Sequence, residues 1–400
     1  MSKTIQIISS ENFNAPTLDN TQGNLLNVLS ACLVDGLSLP NISAFVINQN
    51  QKNETISTTI QFSADHQLKL LQYIELSGFE PAILNGRHRI IGVPTVGSIV
   101  IKNTTQAEQI GAALLAPLGF EKLFSASGKA VFRNKNPLAI HRPCLRVDDS
   151  LDPVYSAAYA KYAKVGVLSD CADIDDLSTQ VIPLDAEGVA KNWVGTGNGD
   201  AVVNGWSRWY YARASIANQS GFDKATPVSG ARPWVLVGNE DAFYVVNPLT
   251  PTVSDTHKII YGFGVLDHPQ IETPYFLLTT LHSSTIATNI VMTSAATPLN
   301  NNNSPALIAD GAAHATAVKT DAAYTSGLVN TYSNPFVVDA YTLMSNSFIV
   351  GVLPILHRIL NVRTDPQFST VIYDDVGYLI DMFVLRQRVA FDLREVDADL

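Results

Sequence analysis

The chain has 400 residues, 46% hydrophobic and 16% charged, with a formal net charge of −10. That length predicts two or three domains with room for a sizeable core. The acidic balance and the lack of any run of Lys or Arg exclude a duplex-binding role, which needs clustered cations against phosphate.

Residues 1–6 lack the apolar run of a signal peptide. The longest apolar stretch, Phe348 to Leu360, is broken by Gly351, Pro354, His357 and Arg358. It is too short for a bilayer needing about 20 apolar residues. The expectation is a soluble chain made in the cytoplasm, with no membrane partner.

In chain order, Leu25, Leu26, Val28, Leu29, Cys32 and Leu33 recur at helical spacing, predicting a helix over 21–36 capped by Asn20 or Thr21 and ended by Gly36. Ile42 to Phe62 reads as strands around a polar tip at 48–53. Residues 64–92 read as strand, turn, strand, with apolar positions at Leu68, Leu70, Tyr73, Ile74 and Leu76. Turn residues Ser77, Gly78, Pro81, Asn85 and Gly86 follow, then Arg89, Ile90 and Ile91. Together with Val96 to Ile101 they form a small β-module over 42–103. Thr105 and Glu108 have the form of a capping box before Ile110 to Leu115, predicting a short helix.

From Phe120 onward short β-branched and aromatic runs dominate: 130–133, 144–147, 164–168, 206–214, 233–237, 242–246, 258–266, 275–281 and 285–292. Only Pro153 to Ala163 suggests a helical turn. Asn300 to Ser304, between Pro298 and Pro305, reads as a linker. Strands resume at 335–338, 348–350, 370–373 and 378–384. Strands are not alternated with long helices, which excludes a doubly wound sheet. The expected fold is mainly β, multi-domain and sandwich- or barrel-like, with a few short helices. Its units are 1–41, 42–103, 104–298, the linker 299–304, and 305–400.

Candidate chemistry is sparse. Asp173, Asp175 and Asp176 form the densest acidic cluster, but an EF-hand would need Gly and Glu where Ser178 and Leu184 stand. They are either a looser metal site or a solvated loop. Asp148, Asp149 and Asp152 are a similar group. Gly195 to Asp200 lacks the Lys-Ser/Thr of a phosphate loop. Gly205-Trp206-Ser207-Arg208-Trp209 fails the nucleophile elbow at its last position, where Trp replaces Gly. The eight histidines are isolated, without the i, i+4 spacing of a helix-borne zinc pair. Cys32, Cys144 and Cys171 form neither a disulfide framework nor a zinc pattern, although a Cys144–Cys171 bridge stays open. The tryptophans Trp193, Trp206, Trp209 and Trp234 fall in one region, with Tyr210 and Tyr211. They are either core or a surface for glycan stacking or a protein interface. No cofactor motif occurs.

The stretch 64–92 resembles a small β-module of structural proteins of tailed bacteriophages, whose line runs hydrophobic strand, Gly, Pro, Leu-Asn-Gly, Arg-Ile/Val. Four further segments resemble lines of that group, in the same order: Leu118 to Arg133, Leu145 to Asp149, Ala231 to Gly238, and Gly351 to Pro354. The last resembles Gly-x-Leu-Pro-Gly, with Ile355 in place of the final glycine. The low charge and abundant Asn, Thr, Ser, Ala and Gly suit an all-β virion protein. The resemblance implies a non-enzymatic virion component acting by protein–protein assembly, in the tail tip, baseplate or neck. Its partners would be other virion proteins and copies of itself in a ring or trimer, with no catalytic residues to carry over. The alternatives are a capsid decoration protein, a host-surface glycan binder, and a hydrolase using Asp148/Asp149 or Asp173/Asp175, which would need two carboxylates in one cleft.

Overall fold

A computed structural model describes residues 4–50, 52, 54–182, 192–195, 207–214, 224–251, 258–279, 306–309, 315–320, 336–345, 348–360, 369–373, 376–383 and 387–393. The chain is mainly β, built from antiparallel sheets.

Sheet I is the small module. Its strand order is Leu37–Ser38, Ala112–Leu115, Tyr73–Ser77, Gly86–Thr95, Ser98–Ile101, Thr55–Phe62, Ile42–Gln49. The expected strand–turn–strand of 64–92 is present as Tyr73–Ser77 and Gly86–Thr95, with a single 3-10 turn at Ala82–Leu84 between them. Residues 110–115 are not helical. Ala112–Leu115 is a strand between Tyr73–Ser77 and Leu37–Ser38, because cross-strand pairing outweighs a short local helix signal. Gly111 admits this approach, since a Cβ there would lie 2.0 Å from the Ser77 carbonyl.

The helix occupies Asn24–Ser30 and continues as a wider turn over Ala31–Asp35, ending at Gly36. Gly36 has φ 70°, and its backbone passes so close to Leu115 that a Cβ would sit 2.7 Å from that carbonyl oxygen. The helix starts at Gly23 rather than at Asn20 or Thr21, because its cap comes from elsewhere in the chain, as described below.

Sheet II orders Gln180–Ile182, Lys161–Leu168, Cys144–Asp148, Lys129–Asn134 and Phe120–Ala126, with Arg208–Ala212 also pairing to Lys161–Leu168. The stretch 153–163 is not a helical turn: turns lead into strand at Lys161. Sheet III has twelve strands: Gln6–Ser9, Val235–Gly238, Ala242–Pro248, Lys258–Val265, Tyr275–Leu278, Ala306–Ala309, Ala315–Thr320, Phe336–Ser345, Phe348–Leu360, Gln387–Asp392, Val376–Phe383 and Ser369–Tyr373.

These sheets cross the unit boundaries expected from the sequence. Gln6–Ser9 pairs with Val235–Gly238, so the first strand belongs to sheet III. The module of 42–103 extends to Leu37 and Leu115. Strands on either side of 299–304 pair with each other, Tyr275–Leu278 with Ala306–Ala309, so one sheet continues past that segment. The residues 299–304 themselves lie outside the described ones.

Both faces of sheet III are buried where it crosses the middle of the molecule. Leu236, Phe243, Val245, Tyr261, Phe263 and Leu277 face a core shared with the helix and sheets I and II. Their strand neighbours Val235, Val237, Tyr244, Val246, Phe276 and Leu278 face a second core. The period-two alternation of a strand thus feeds two apolar layers. The second layer is closed by later strands of the same sheet, which bend back over it. Leu353, Ile355, Leu356 and Phe391 fold over it, and the Tyr244 hydroxyl donates to the Pro354 carbonyl at 2.8 Å. The bend has a local cause. Between the pairs Ala340–His357 and Thr342–Val352 one strand spends two residues and the other five. Extra residues in one strand bend it and raise its twist. Ile355 (φ 68°) is the left-handed position inside this bulge, and Gly351 (φ 158°), paired with Leu343, lies just outside it. Gly351 also runs close to Leu266, whose Cβ would meet an added Cβ at 2.9 Å.

Candidate functional site: a buried ionic cluster and a set of exposed apolar tips

Every residue of Lys161–Leu168 is buried, including two lysines. Cross-strand register sets Lys164 opposite Asp148. The Lys164 Nζ lies 3.3 Å from Asp148 Oδ2 and 3.8 Å from Asp152 Oδ2, and donates to the Trp193 carbonyl at 2.7 Å. Asp148 Oδ1 accepts from the Ser150 amide at 3.1 Å and from its hydroxyl at 2.5 Å. Asp152 accepts from the amides of Val154 and Gly195. Burial pushes the Lys164 ammonium below its ordinary pKa, against the opposing pull of Asp148. Lys161 is spent on the carbonyls of Ala157 and Tyr159.

Beside this cluster, the Arg146 guanidinium lies 4.3 Å over the Trp193 ring and donates to the Ile174 carbonyl and to Asp175. Trp193 Nε1 donates to Gln180. Arg208 donates to the Asn192 carbonyl and side chain, and stands over Tyr162. Cationic and aromatic groups therefore alternate through a closed interior, which strengthens each contact by excluding water.

Asp149, the next residue along, points to the other side of its strand. Its Oδ2 accepts from the Leu26 amide, and its Oδ1 from Gln22 and the Tyr211 hydroxyl at 2.9 Å. A carboxylate just past the strand Cys144–Asp148 thus caps the helix that begins at Asn24, where unpaired amides and the helix dipole favour an acceptor. Burial raises the Asp149 pKa to about 7 despite these donors.

The residues singled out in the sequence fall as follows. Trp193, Trp209 and Trp234 are all buried. Trp209 Nε1 donates to the Leu278 carbonyl and its ring stacks on Tyr261 at 5.5 Å; Trp234 Nε1 donates to the Pro16 carbonyl. Of the two readings the sequence left open for these three, core or a surface for glycan or protein, the structure has core: each ring is enclosed by the sheets. Trp206 lies outside the described residues. Asp173, Asp175 and Asp176 do not converge. Asp173 accepts from the Asp175 amide, Asp175 serves Lys129 and Arg146, and Asp176 accepts from Ser178 and the Ala172 amide. No group of three His, Cys, Asp or Glu with metal-ligand geometry occurs among the described residues. Asp148 and Asp149 face different partners, so they do not share a cleft as a hydrolase pair would. Ser207 is buried within an extended approach to a strand, its amide donating to Asn192. Of the glycine-rich 195–200, only Gly195 is described. Cys144 and Cys171 are free thiols in one small apolar cluster; burial raises the Cys144 pKa to about 12.

Asp148 and Asp152 were noted in the sequence as part of an acidic group, but Lys164 was not singled out. The available signal was a lysine inside an otherwise apolar strand, an arrangement that requires a buried partner.

Exposed large apolar side chains occur along the strands, as at Val46, Ile56, Ile91 and Val93, and the most exposed of them stand at loops, turns and strand ends. Ile140 is 93% exposed and Leu138 78%, in a loop held by Arg142, which grips the Asn134 carbonyl and Glu121. Phe348 is 76% exposed where Phe336–Ser345 turns into Phe348–Leu360, with Ile349 beside it. Ile83 is 78% exposed on the 3-10 turn. No helix among the described residues is long and apolar enough to cross a membrane. No family model, curated protein or solved structure matches the chain.

Proposed function

We propose that this chain is a structural component of a bacteriophage particle. It acts by protein–protein assembly in the tail, at the tip, baseplate or neck, with other virion proteins and copies of itself as partners. The observation that carries the reading is the set of apolar side chains held outward on anchored loops and hairpin tips, Leu138, Ile140, Phe348, Ile349 and Ile83. Exposed apolar groups that lie together, as a contiguous patch, mark surfaces buried on association, and Leu138 with Ile140 and Phe348 with Ile349 are the two pairs that could supply one. The ordered resemblance of five segments to phage structural proteins supports the same reading. So does the internal use of the described charged clusters, each spent on holding a loop, a helix or a strand.

The test is location and mass together. Particles from the phage that encodes the chain are labelled with antibody and viewed by negative stain, and the purified chain is weighed by light scattering. Label on the tail or neck, with a ring- or trimer-sized mass, is the expected result. Label confined to the capsid surface would replace the tail assignment with decoration. A monomer that labels no particle would overturn the proposal.

A further inference from the structure

The Lys164 cluster has the parts of a self-acylating centre. We propose that Lys164 and Asp148 join through an intramolecular isopeptide bond, with Asp152 as proton carrier. The nucleophile and electrophile are a directly opposed cross-strand pair, with Lys164 Nζ 3.3 Å from Asp148 Oδ2. The side chains of Lys164, Asp148 and Asp152 are each about 5% exposed, so water neither solvates the amine nor competes as nucleophile. Such fixed proximity replaces a bimolecular encounter.

The remaining groups stand where the chemistry needs them. Proton transfer within the buried pair gives the neutral amine and carboxylic acid that the step uses. Nζ then attacks Cγ of Asp148. Negative charge develops on Oδ1, which already accepts from both the amide and the hydroxyl of Ser150, a pair of donors arranged as an oxyanion hole. Asp152 Oδ2, 3.8 Å from Nζ, takes the proton released by the nitrogen and delivers it to the departing oxygen. The Nζ–Cγ bond forms, the Cγ–Oδ2 bond breaks, and one water leaves. Nothing is oxidised or reduced, and no co-reactant is required. The Trp193 carbonyl, 2.7 Å from Nζ, holds the amine in place.

The test is the intact mass of the folded full-length chain, followed by tryptic mapping. The expected mass is one water below that of the sequence, with a branched peptide joining Lys164 to Asp148. Lys164→Arg keeps the charge but cannot form the bond, and Asp152→Asn removes the proton carrier, so both should return to the full sequence mass. The wild-type mass decides the matter even if a variant fails to fold. A wild-type chain at full sequence mass overturns the proposal. So does a deficit that persists in Lys164→Arg, or a branch that maps to Asp152.

Discussion

Ile355 offers a direct reading of backbone strain, because replacing it by Ala and by Gly separates packing from conformation. It is a β-branched residue at φ 68° within the bulge of Phe348–Leu360, and its side chain is buried in the second core. Both substitutions remove that side chain, and each should cost about 2–5 kcal/mol relative to wild type. They differ in the backbone. In an ordinary strand Gly is worse than Ala by roughly 0.5–1 kcal/mol, through its greater freedom when unfolded. At a left-handed position an L-residue carries about 1–2 kcal/mol of steric cost that Gly does not. The second effect wins, so Ile355→Gly should be more stable than Ile355→Ala by about 1 kcal/mol, an inversion of the usual order. With a urea slope of about 3 kcal/mol per molar, the two midpoints would separate by about 0.3 M, at unchanged slope. An alanine variant as stable as the glycine variant, or more so, would refute the claim that this bulge holds Ile355 under strain.

Asp149 sets a pH dependence whose sign can be worked out. Its folded pKa is raised to about 7, so between about pH 4 and 7 the folded state keeps a proton that the unfolded state has lost. Stability should fall as pH rises through that window, and Asp149→Asn should flatten the profile of melting temperature against pH; an unaltered slope would place the titration elsewhere. Trp209→Ala removes a fully buried ring and its bond to Leu278, and should cost about 3–5 kcal/mol in denaturant unfolding. Gly195→Ala would put a Cβ 2.4 Å from Asp152 Oδ2; overpacking should cost about 1–3 kcal/mol and pull that carboxylate away from Lys164. Ile140→Asp, on an exposed loop tip, should change stability by no more than about 0.5 kcal/mol while reducing the mass of assemblies seen by light scattering.

The strands were legible because their residues carry the signal locally. Ala242 to Val246 is apolar without a break, which is what burial on both faces requires, and the pairing of Ile42–Gln49 with Thr55–Phe62 followed from two strand-like runs around a polar stretch. The errors came where partners distant in sequence decide. Thr105 to Leu115 scores as a helix alone, yet Tyr73–Ser77 and Leu37–Ser38 offer it two strands to join. The helix start was misplaced because its cap, Asp149, comes from a distant part of the chain, just past the strand Cys144–Asp148. Position 355 was legible in part: the phage line it resembles has glycine there, and the backbone is left-handed. The ionic cluster was legible only in its acidic half: Asp148 and Asp152 lie close in sequence, but Lys164 and Trp193 join them only through strand register and a returning loop. The tryptophans left core and binding surface both open in the sequence, because clustering along the chain carries no information about which way a ring faces.

Pairing Gln6–Ser9 with Val235–Gly238 also imposes a timetable on synthesis. The partner strand emerges more than two hundred residues later, a delay of roughly 10–50 s at ribosomal rates of about 5–20 residues per second. Throughout that interval Ile5, Ile7 and Ile8, all buried in the finished molecule, remain on a nascent strand with no complement. Neighbouring polysomes would hold many such strands at once, each able to pair with the wrong copy. Gln6–Ser9 is thus made long before it can pair, and yield of native protein should depend on whatever shields it until residue 238 arrives.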